Sequence, residues 1–392
     1  MLRSQGRDRT SAVPITGVAL ASPLGRSLPE LAAALAEGRR GLSKHHRFSA
    51  LIDAPLGELG GGAPLSLYDL ADGLVRRLAV ETDLFERYAP EEIGLFLGTT
   101  TAGVEQWFLR LERSGEKPTP ASLINSEDQI GSVAHRLKAA FPIRGIDMVV
   151  VTACSASAVA LARARDAIRM GLVKCAVAGG FDVLTPMTIM GFDCLQILDH
   201  DFCRPFNADR KGLNLGEGGA LFLLEGTGLT VPGDAPPPLA FLAGAGAASD
   251  AYHMTHPDPD GRGMELSMRN ALADAGLAPS AIGYVNAHGT GTIPNDLTER
   301  LALDRIFGAG GVPVSSTKEL HGHTLGGAGA LEAAATLAAL AQNQVWLPNQ
   351  LPASRSREPL AHALSNSFGF GGNNVSLVFT AGSRLDFGEK NP

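Results

Sequence analysis

A chain of 392 residues with 45% hydrophobic and 19% charged residues has enough apolar content to bury a large core, which excludes a disordered or low-complexity polypeptide. Its formal charge of −7 at pH 7 argues against non-specific binding to nucleic acid or to anionic membranes, leaving only a local basic patch as an option. The four cysteines, Cys154, Cys175, Cys194 and Cys203, show neither a CxxC pair nor zinc-ligand spacing, and residues 1–14 hold no secretory apolar run; together these predict a reduced, cytoplasmic protein without a cofactor.

In chain order, Arg3, Arg7 and Arg9 mark a loose leader, followed by a strand over 13–21. Ser27-Leu28-Pro29-Glu30 then opens a helix with a serine cap, an early proline and a glutamate three residues after the cap, and Gly38 stops it. A buried strand over 93–98 leads into Thr99-Thr100-Thr101. The run Val149-Val150-Val151 reads as a strand buried on both faces that turns sharply into the alanine-rich stretch from Ala156, and Cys154 sits at the turn. Placement at a helix N-terminus favours the thiolate needed by a nucleophile, although an isolated free cysteine is more commonly an inert core residue. A strand over 175–180 follows, then a polar stretch from Cys203 to Gly219 that feeds an apolar strand over 220–224, and a Gly- and Pro-rich connector over 226–238.

The second half repeats the alternation. Strands are expected over 239–246 and 282–287, helices over 265–275, 296–307 and 329–340, and a last strand over 374–379. His288 ends one strand in the turn Gly289-Thr290-Gly291, Lys318 and His323 lie in a second glycine-rich segment, and Phe370 stands between Gly369 and Gly371-Gly372. Strands alternating with helices call for an α/β fold with a parallel sheet covered on both faces. No residue-level repeat links the halves.

At the segments around Cys154, His288, His323 and Phe370 the chain resembles the β-ketoacyl-ACP synthases, the elongating condensing enzymes of fatty-acid and polyketide synthesis, and the resemblance runs from about Ile15 to Phe379. It implies a thiolase-like duplicated αβαβα sandwich, with one half over 13–225 carrying the nucleophile and the other over 239–380 carrying two histidines. The implied reaction is a decarboxylative Claisen condensation of an acyl group on Cys154 with malonyl-ACP. By the same resemblance, the backbone N–H groups of Cys154 and Phe370 form an oxyanion hole, and Phe370 also gates the acyl pocket that Thr99-Thr100-Thr101 helps to line. His288 and His323 donate to the enolate oxygen, and Lys318 forms a buried pair with Glu299. Asn286, Glu332, Ser365 and Asn366 match positions that hold a monovalent cation in some relatives; a plain hydrogen-bond network around a buried glutamate is an equal reading. The implied partners are acyl carrier proteins, for which Arg204, Arg210 and Lys211 are candidate docking cations, and a second synthase chain, either this one or a paralogue.

The chain departs from the usual pattern at Gly291, Glu319, His321 and Asn374, which leaves fatty-acid and specialised polyketide or aryl-polyene pathways both open. His321 matches no family position and is expected at the surface or behind the site, and His253, His256 and His362 lack any motif. A thiolase would need a second cysteine where Phe370 stands. A nucleophile-elbow hydrolase would need glycines where Thr152 and Ala156 stand. A catalytically silent chain-length-factor-like subunit would lack the cysteine.

Overall fold

The structure is a computed structural model that describes residues 12–60, 66–104, 129–226, 237–347, 350–351 and 359–382. The arginine-bearing leader and most of the connector over 226–238 lie outside the described residues.

The strands of the first half that join the main sheet are β1 (Val13–Ala21), β4 (Ile93–Gly98), β5 (Asp147–Val150), β6 (Cys175–Asp182) and β7 (Gly218–Glu225), while β2 (Leu42–Ser43) and β3 (Leu56–Gly57) pair separately. Those of the second half are β8 (Ala240–Ser249), β9 (Tyr284–Asn286), β10 (Val314–Ser315), β11 (His362–Gly369) and β12 (Asn373–Ala381). The sheet order is β10-β9-β11-β12-β8-β1-β7-β6-β4-β5. Numbered within its own half, each set runs first, fifth, fourth, second, third, and both have antiparallel pairs at the first two junctions and parallel pairs at the last two. The halves join where β1 runs antiparallel to β8, with Val13 opposite Leu242 and Ile15 opposite Ala240. A duplication that leaves no trace at residue level is therefore plain in the topology, and the fold is thiolase-like.

Helices cover the sheet: α1 (Leu28–Glu37), α2 (Leu67–Thr82), α3 (Ser132–Ala140), α4 (Ala156–Arg169), α5 (Pro186–Cys194), α6 (Arg262–Ala275), α7 (Ile293–Phe307) and α8 (Ala328–Gln342). Every residue of β6 and β7 is buried, because helices cover both faces of these strands. Alternate residues face opposite ways: Ala176 and Ala178 pack in the central core with α4 and α8, while Cys175 and Val177 pack with α2 and α3. The central core also takes Val375, Leu377 and Phe379 from β12, and α6 and α7 pack on the far face of the second half. The layers are thus helix, strand, helix, strand, helix. Alanine suits α4 and α8 because only small side chains let two helices fit between two layers of strands, and α8 is buried from Ala328 to Leu340.

The strand β11 and the helices α2, α3 and α5 add to the expected elements. The strand β5, expected to be buried on both faces, is instead an edge strand with Asp147 and Met148 exposed, because β4 pairs it on one side only among the described residues. Helices α6 and α7 begin three residues earlier than predicted, at Arg262 and Ile293. Pro294 in the first turn of α7 explains its earlier start, since proline suits a position whose N–H is unpaired anyway. Among the described residues no helix is long and apolar enough to cross a membrane.

Candidate active site

Cys154 lies between β5 and α4, in a turn where Ala153 takes φ +50°, a left-handed conformation that is uncommon for a residue with a side chain. The hydroxyl of Ser155 donates to the carbonyl of Thr152 at 2.8 Å and helps hold the turn. The end of β11 lies directly against it: a Cβ at Gly369 would stand 2.8 Å from the Thr152 oxygen and 3.2 Å from the Cys154 nitrogen, so glycine is what permits the approach. The approach brings the N–H of Phe370 to the Cys154 sulfur, which also accepts from its own backbone N–H. These are the two donors an oxyanion at this thiol would use.

Burial pushes the Cys154 thiol up to about 11, against the pull of Lys318 and of the Phe370 and Cys154 N–H groups. The expectation of a thiolate favoured by the helix terminus is therefore corrected. A helix N-terminus contributes about 0.3–1 kcal/mol, less than one pKa unit, and α4 starts two residues beyond the sulfur.

His288 follows β9, and its backbone is held by Glu299, whose carboxylate accepts the N–H of His288 at 2.9 Å and of Gly289 at 2.8 Å. The ammonium of Lys318 donates to the His288 carbonyl at 2.6 Å and sits 3.3 Å from its Nδ1. His323 is fixed through its backbone to Asn214 and Gly216, and its Nδ1 accepts the N–H of Leu325 at 3.1 Å. With Nδ1 accepting in both rings, both carry the proton on Nε2. The two rings stand edge to face with centroids 5.4 Å apart. The Cys154 sulfur and one ring nitrogen from each histidine all lie within 4.8 Å of one another. Both imidazoles are held well below their ordinary pKa, first by burial and then by the Lys318 charge, so they are neutral.

The ion pair differs from the expected one. Lys318 bonds to Glu332 on α8, not to Glu299, whose oxygens are taken by backbone N–H groups and by Asn366 Nδ2 at 3.1 Å. Burial pushes Glu299 up to about 7 and likewise raises Glu332, with Lys318 opposing the latter. Glu332 is the one acidic residue in α8, and a lone charge in a helix buried on all sides is itself the sequence signal that a cation must face it.

Ser365 pairs with Asn286 across β11 and β9, and Asn286 Nδ2 donates to the Glu332 carbonyl at 3.4 Å. Asn286 Oδ1, Glu332 Oε2 and Ser365 Oγ are buried without a hydrogen-bond partner, a set of oxygen donors of the kind that suits a hard cation. Asn366 does not belong with them through its side chain, because its Oδ1 accepts from Ser376 at 2.8 Å.

His321 is fully buried, which corrects its expected surface option: its ring bridges the Thr317 hydroxyl at 3.0 Å and the Gly322 carbonyl at 2.7 Å. Arg210 is drawn inward, 3.5 Å from Asp296 and donating to the Asn207 carbonyl, and Arg204 pairs with Asp209. Of the candidate docking cations only Lys211 stands exposed without such a pair among the described residues. A cavity of about 150 Å³ opens on Cys154, His288, His323 and Phe370, and also reaches His256. At its wall Phe370 stacks on Phe192, with ring centroids 5.9 Å apart and planes 13° from parallel.

The described N-terminal domain of β-ketoacyl synthases matches residues 79–227, and the C-terminal domain matches residues 239–352. The chain belongs to the β-ketoacyl synthase family. Its relatives include the 3-oxoacyl-[acyl-carrier-protein] synthase 2 of Synechocystis sp., 32% identical over 94% of this chain and 97% of that one. Nodulation protein E of Rhizobium leguminosarum bv. trifolii is 40% identical over 60% of this chain and 62% of its own length. Among solved structures, the ketosynthase ApeO in complex with its chain length factor ApeC from Xenorhabdus doucetiae superposes with a TM-score of 0.79 at 31% identity, over 96% of this chain and 99% of that one. A type II polyketide ketosynthase, AntDE, in complex with the acyl carrier protein AntF superposes at 0.81 with 26% identity, over 94% and 99%. The β-ketoacyl synthase fold here thus brings Cys154 from its first half to His288, Lys318 and His323 from its second.

Proposed function

We propose that this chain extends an acyl group by decarboxylative condensation with a malonyl thioester on a carrier protein, with Cys154 holding the growing chain. The convergence of the Cys154 sulfur with His288 and His323 inside 4.8 Å carries the reading. In the first step the sulfur attacks the acyl thioester carbonyl, its C–S bond forms, and the carrier thiol leaves with the proton; the N–H groups of Cys154 and Phe370 donate to the oxyanion. In the second, the malonyl carboxylate leaves as carbon dioxide, and the charge left on the thioester oxygen is met by the Nε2–H groups of His288 and His323. The resulting carbanion attacks the acyl carbon, and the Cys154 sulfur departs. Neutral, tautomer-fixed imidazoles suit this role better than titrating ones. Glu299 acts as a positioning residue for His288, and Lys318 aligns the ring through Nδ1.

Asn286, Glu332 and Ser365 would hold a monovalent cation, which when bound balances the second Glu332 oxygen. We also read the chain as two functional halves, 13–225 and 239–380, that act only together. The structural relatives in complex with a carrier protein or a chain length factor support the same kinds of partner here. So does the sheet edge: β5 is the last strand of the sheet among the described residues and leaves Met148 exposed, with Ile146 and Val151 exposed on either side of it, which suits a second chain of the same fold, itself or a paralogue. Four unpaired thiols fit a cytoplasmic location.

Intact-mass measurement after incubation with a panel of acyl-carrier thioesters, followed by malonyl-carrier, tests the reading. The expected result is an acyl adduct on the protein that disappears as a β-ketoacyl-carrier forms; failure to acylate with any member of the panel would overturn it.

A further inference from the structure

Asp182, the last residue of β6, is fully buried, and no basic side chain is paired with it among the described residues. Its carboxyl oxygens are met by hydrogen-bond donors. It accepts the hydroxyls of Thr99, Thr100 and Thr101 at 2.6, 2.6 and 2.7 Å, the N–H groups of Thr100 and Thr101 at 3.0 Å, and the N–H of Gly326 at 2.6 Å. Gly326 belongs to the turn that follows His323. One residue earlier, Leu325 holds φ +52°, a conformation that costs a residue with a γ-branched side chain on the order of 1 kcal/mol or more. The N–H of this strained Leu325 is the group that donates to His323 Nδ1. The fit is tight, since a Cβ at Gly326 would stand 2.8 Å from Asp182 Oδ2 and 2.8 Å from the Thr99 carbonyl carbon.

We infer that Asp182 is a positioning residue that holds the Leu325–Gly326 turn in its strained form, so that His323 keeps its proton on Nε2. Two consecutive N–H groups thus point to opposite tasks, one into the anchor and the next into the ring. Without the anchor, Leu325 relaxes to negative φ, its N–H swings away, and Nδ1 loses the donor that makes it an acceptor. The tautomer with the proton on Nδ1 then competes, and that form offers a lone pair where the enolate needs a hydrogen.

The inference rests on the condensing role given to His323, and its test keeps the two apart. Magic-angle-spinning NMR of histidine-labelled protein reports which ring nitrogen is protonated, with His323→Gln used to assign the resonances. In the wild type His323 should show a protonated Nε2 and a bare Nδ1. Asp182→Asn turns an amide N–H₂ toward existing donors and should give a mixed or inverted tautomer. It should also slow carbon dioxide release about tenfold or more while leaving Cys154 acylation within about threefold, since only the malonyl step loses a donor. Gly326→Ala pushes on the same contact from the other side and should act alike if Asp182→Asn does not fold. Tyr88→Phe removes a buried hydroxyl that donates to Glu225, beside the opposite end of β6, and should leave tautomer and split unchanged. A wild-type proton on Nδ1, a wild-type tautomer in folded Asp182→Asn, or an equal effect of Tyr88→Phe overturns the inference. A wild-type protein that releases no carbon dioxide would overturn the function, while the tautomer comparison still decides the role of Asp182.

Discussion

The ammonium of Lys318 lies 3.3 Å from Nδ1 of His288 and bonds at the same time to Glu332. It therefore does two things that separate under mutation. Lys318→Met should destabilise the protein by about 3–5 kcal/mol, because it leaves a buried carboxylate without its cation. Adding Glu332→Gln should restore most of that stability in a denaturant titration but should not restore condensation, since the donor to His288 is still missing. Recovery of both together would show that the pair serves stability alone.

The two half-reactions should part company in the histidine variants. Losing one donor at an oxyanion costs on the order of 100-fold to 1,000-fold, so His288→Ala and His323→Ala should both cripple carbon dioxide release. At least one should still take an acyl group on Cys154, as seen by intact mass, whereas Cys154→Ala should take none. Histidine variants that fail to acylate yet release carbon dioxide at the wild-type rate would reverse the assigned roles.

A thiol pushed up to about 11 reacts slowly near neutrality. Alkylation of Cys154 by iodoacetamide should climb about tenfold per pH unit from pH 7 to beyond 9, as the thiolate fraction does. The rate is read by mass spectrometry against Cys154→Ala. A plateau below pH 8 would place the thiolate in the resting enzyme.

Acid should unfold this protein through its buried imidazoles. His288, His321 and His323 have folded pKa values depressed below 6.5, so the unfolded chain takes up protons first and stability is lost as pH falls below that value. Three such groups give a slope of up to about 4 kcal/mol per pH unit, which Glu299 and Glu332, raised to about 7 in the fold and so protonated there before the unfolded chain, oppose by up to about 2.7 kcal/mol per unit. His321→Gln should remove about a third of the histidine slope between pH 6.5 and 5 in urea titrations, and an unchanged slope would mean that His321 is protonated in the fold.

Potassium should raise the melting temperature relative to tetramethylammonium at equal ionic strength, if Asn286, Glu332 and Ser365 hold a small cation. Ser365→Ala should abolish the difference while leaving Lys318 and Glu332 paired. Equal melting temperatures in the two salts for the wild type would assign these oxygens to a plain polar network.

Much of this site is legible in the sequence because its key residues sit where backbone geometry is special. Cys154 at a strand-to-helix turn, His288 after a strand and before Gly289, and Phe370 between glycines each leave a local pattern. What was not legible depends on long-range choice. Glu299 and Glu332 are both buried carboxylates near the lysine, and only the structure shows that backbone N–H groups claim one and Lys318 the other. The burial of His321 comes from β2–β3 and the Leu215–Gly216 segment closing over it, with a Cβ at Gly57 or Gly216 standing 2.5 or 2.4 Å from its carbonyl oxygen; no pattern around His321 announces that. The resting state of the thiol is not legible in the sequence, because a terminus effect is local while desolvation depends on every element packed around the sulfur.

The shared strand order of the two halves has a consequence for the chemistry. Cys154 follows β5, the third strand of its half, and the segment with Lys318 and His323 follows β10, the third strand of the other. One turn carries sulfur and the other nitrogen, so a scaffold built twice over delivers two unlike groups from matching places in its two repeats.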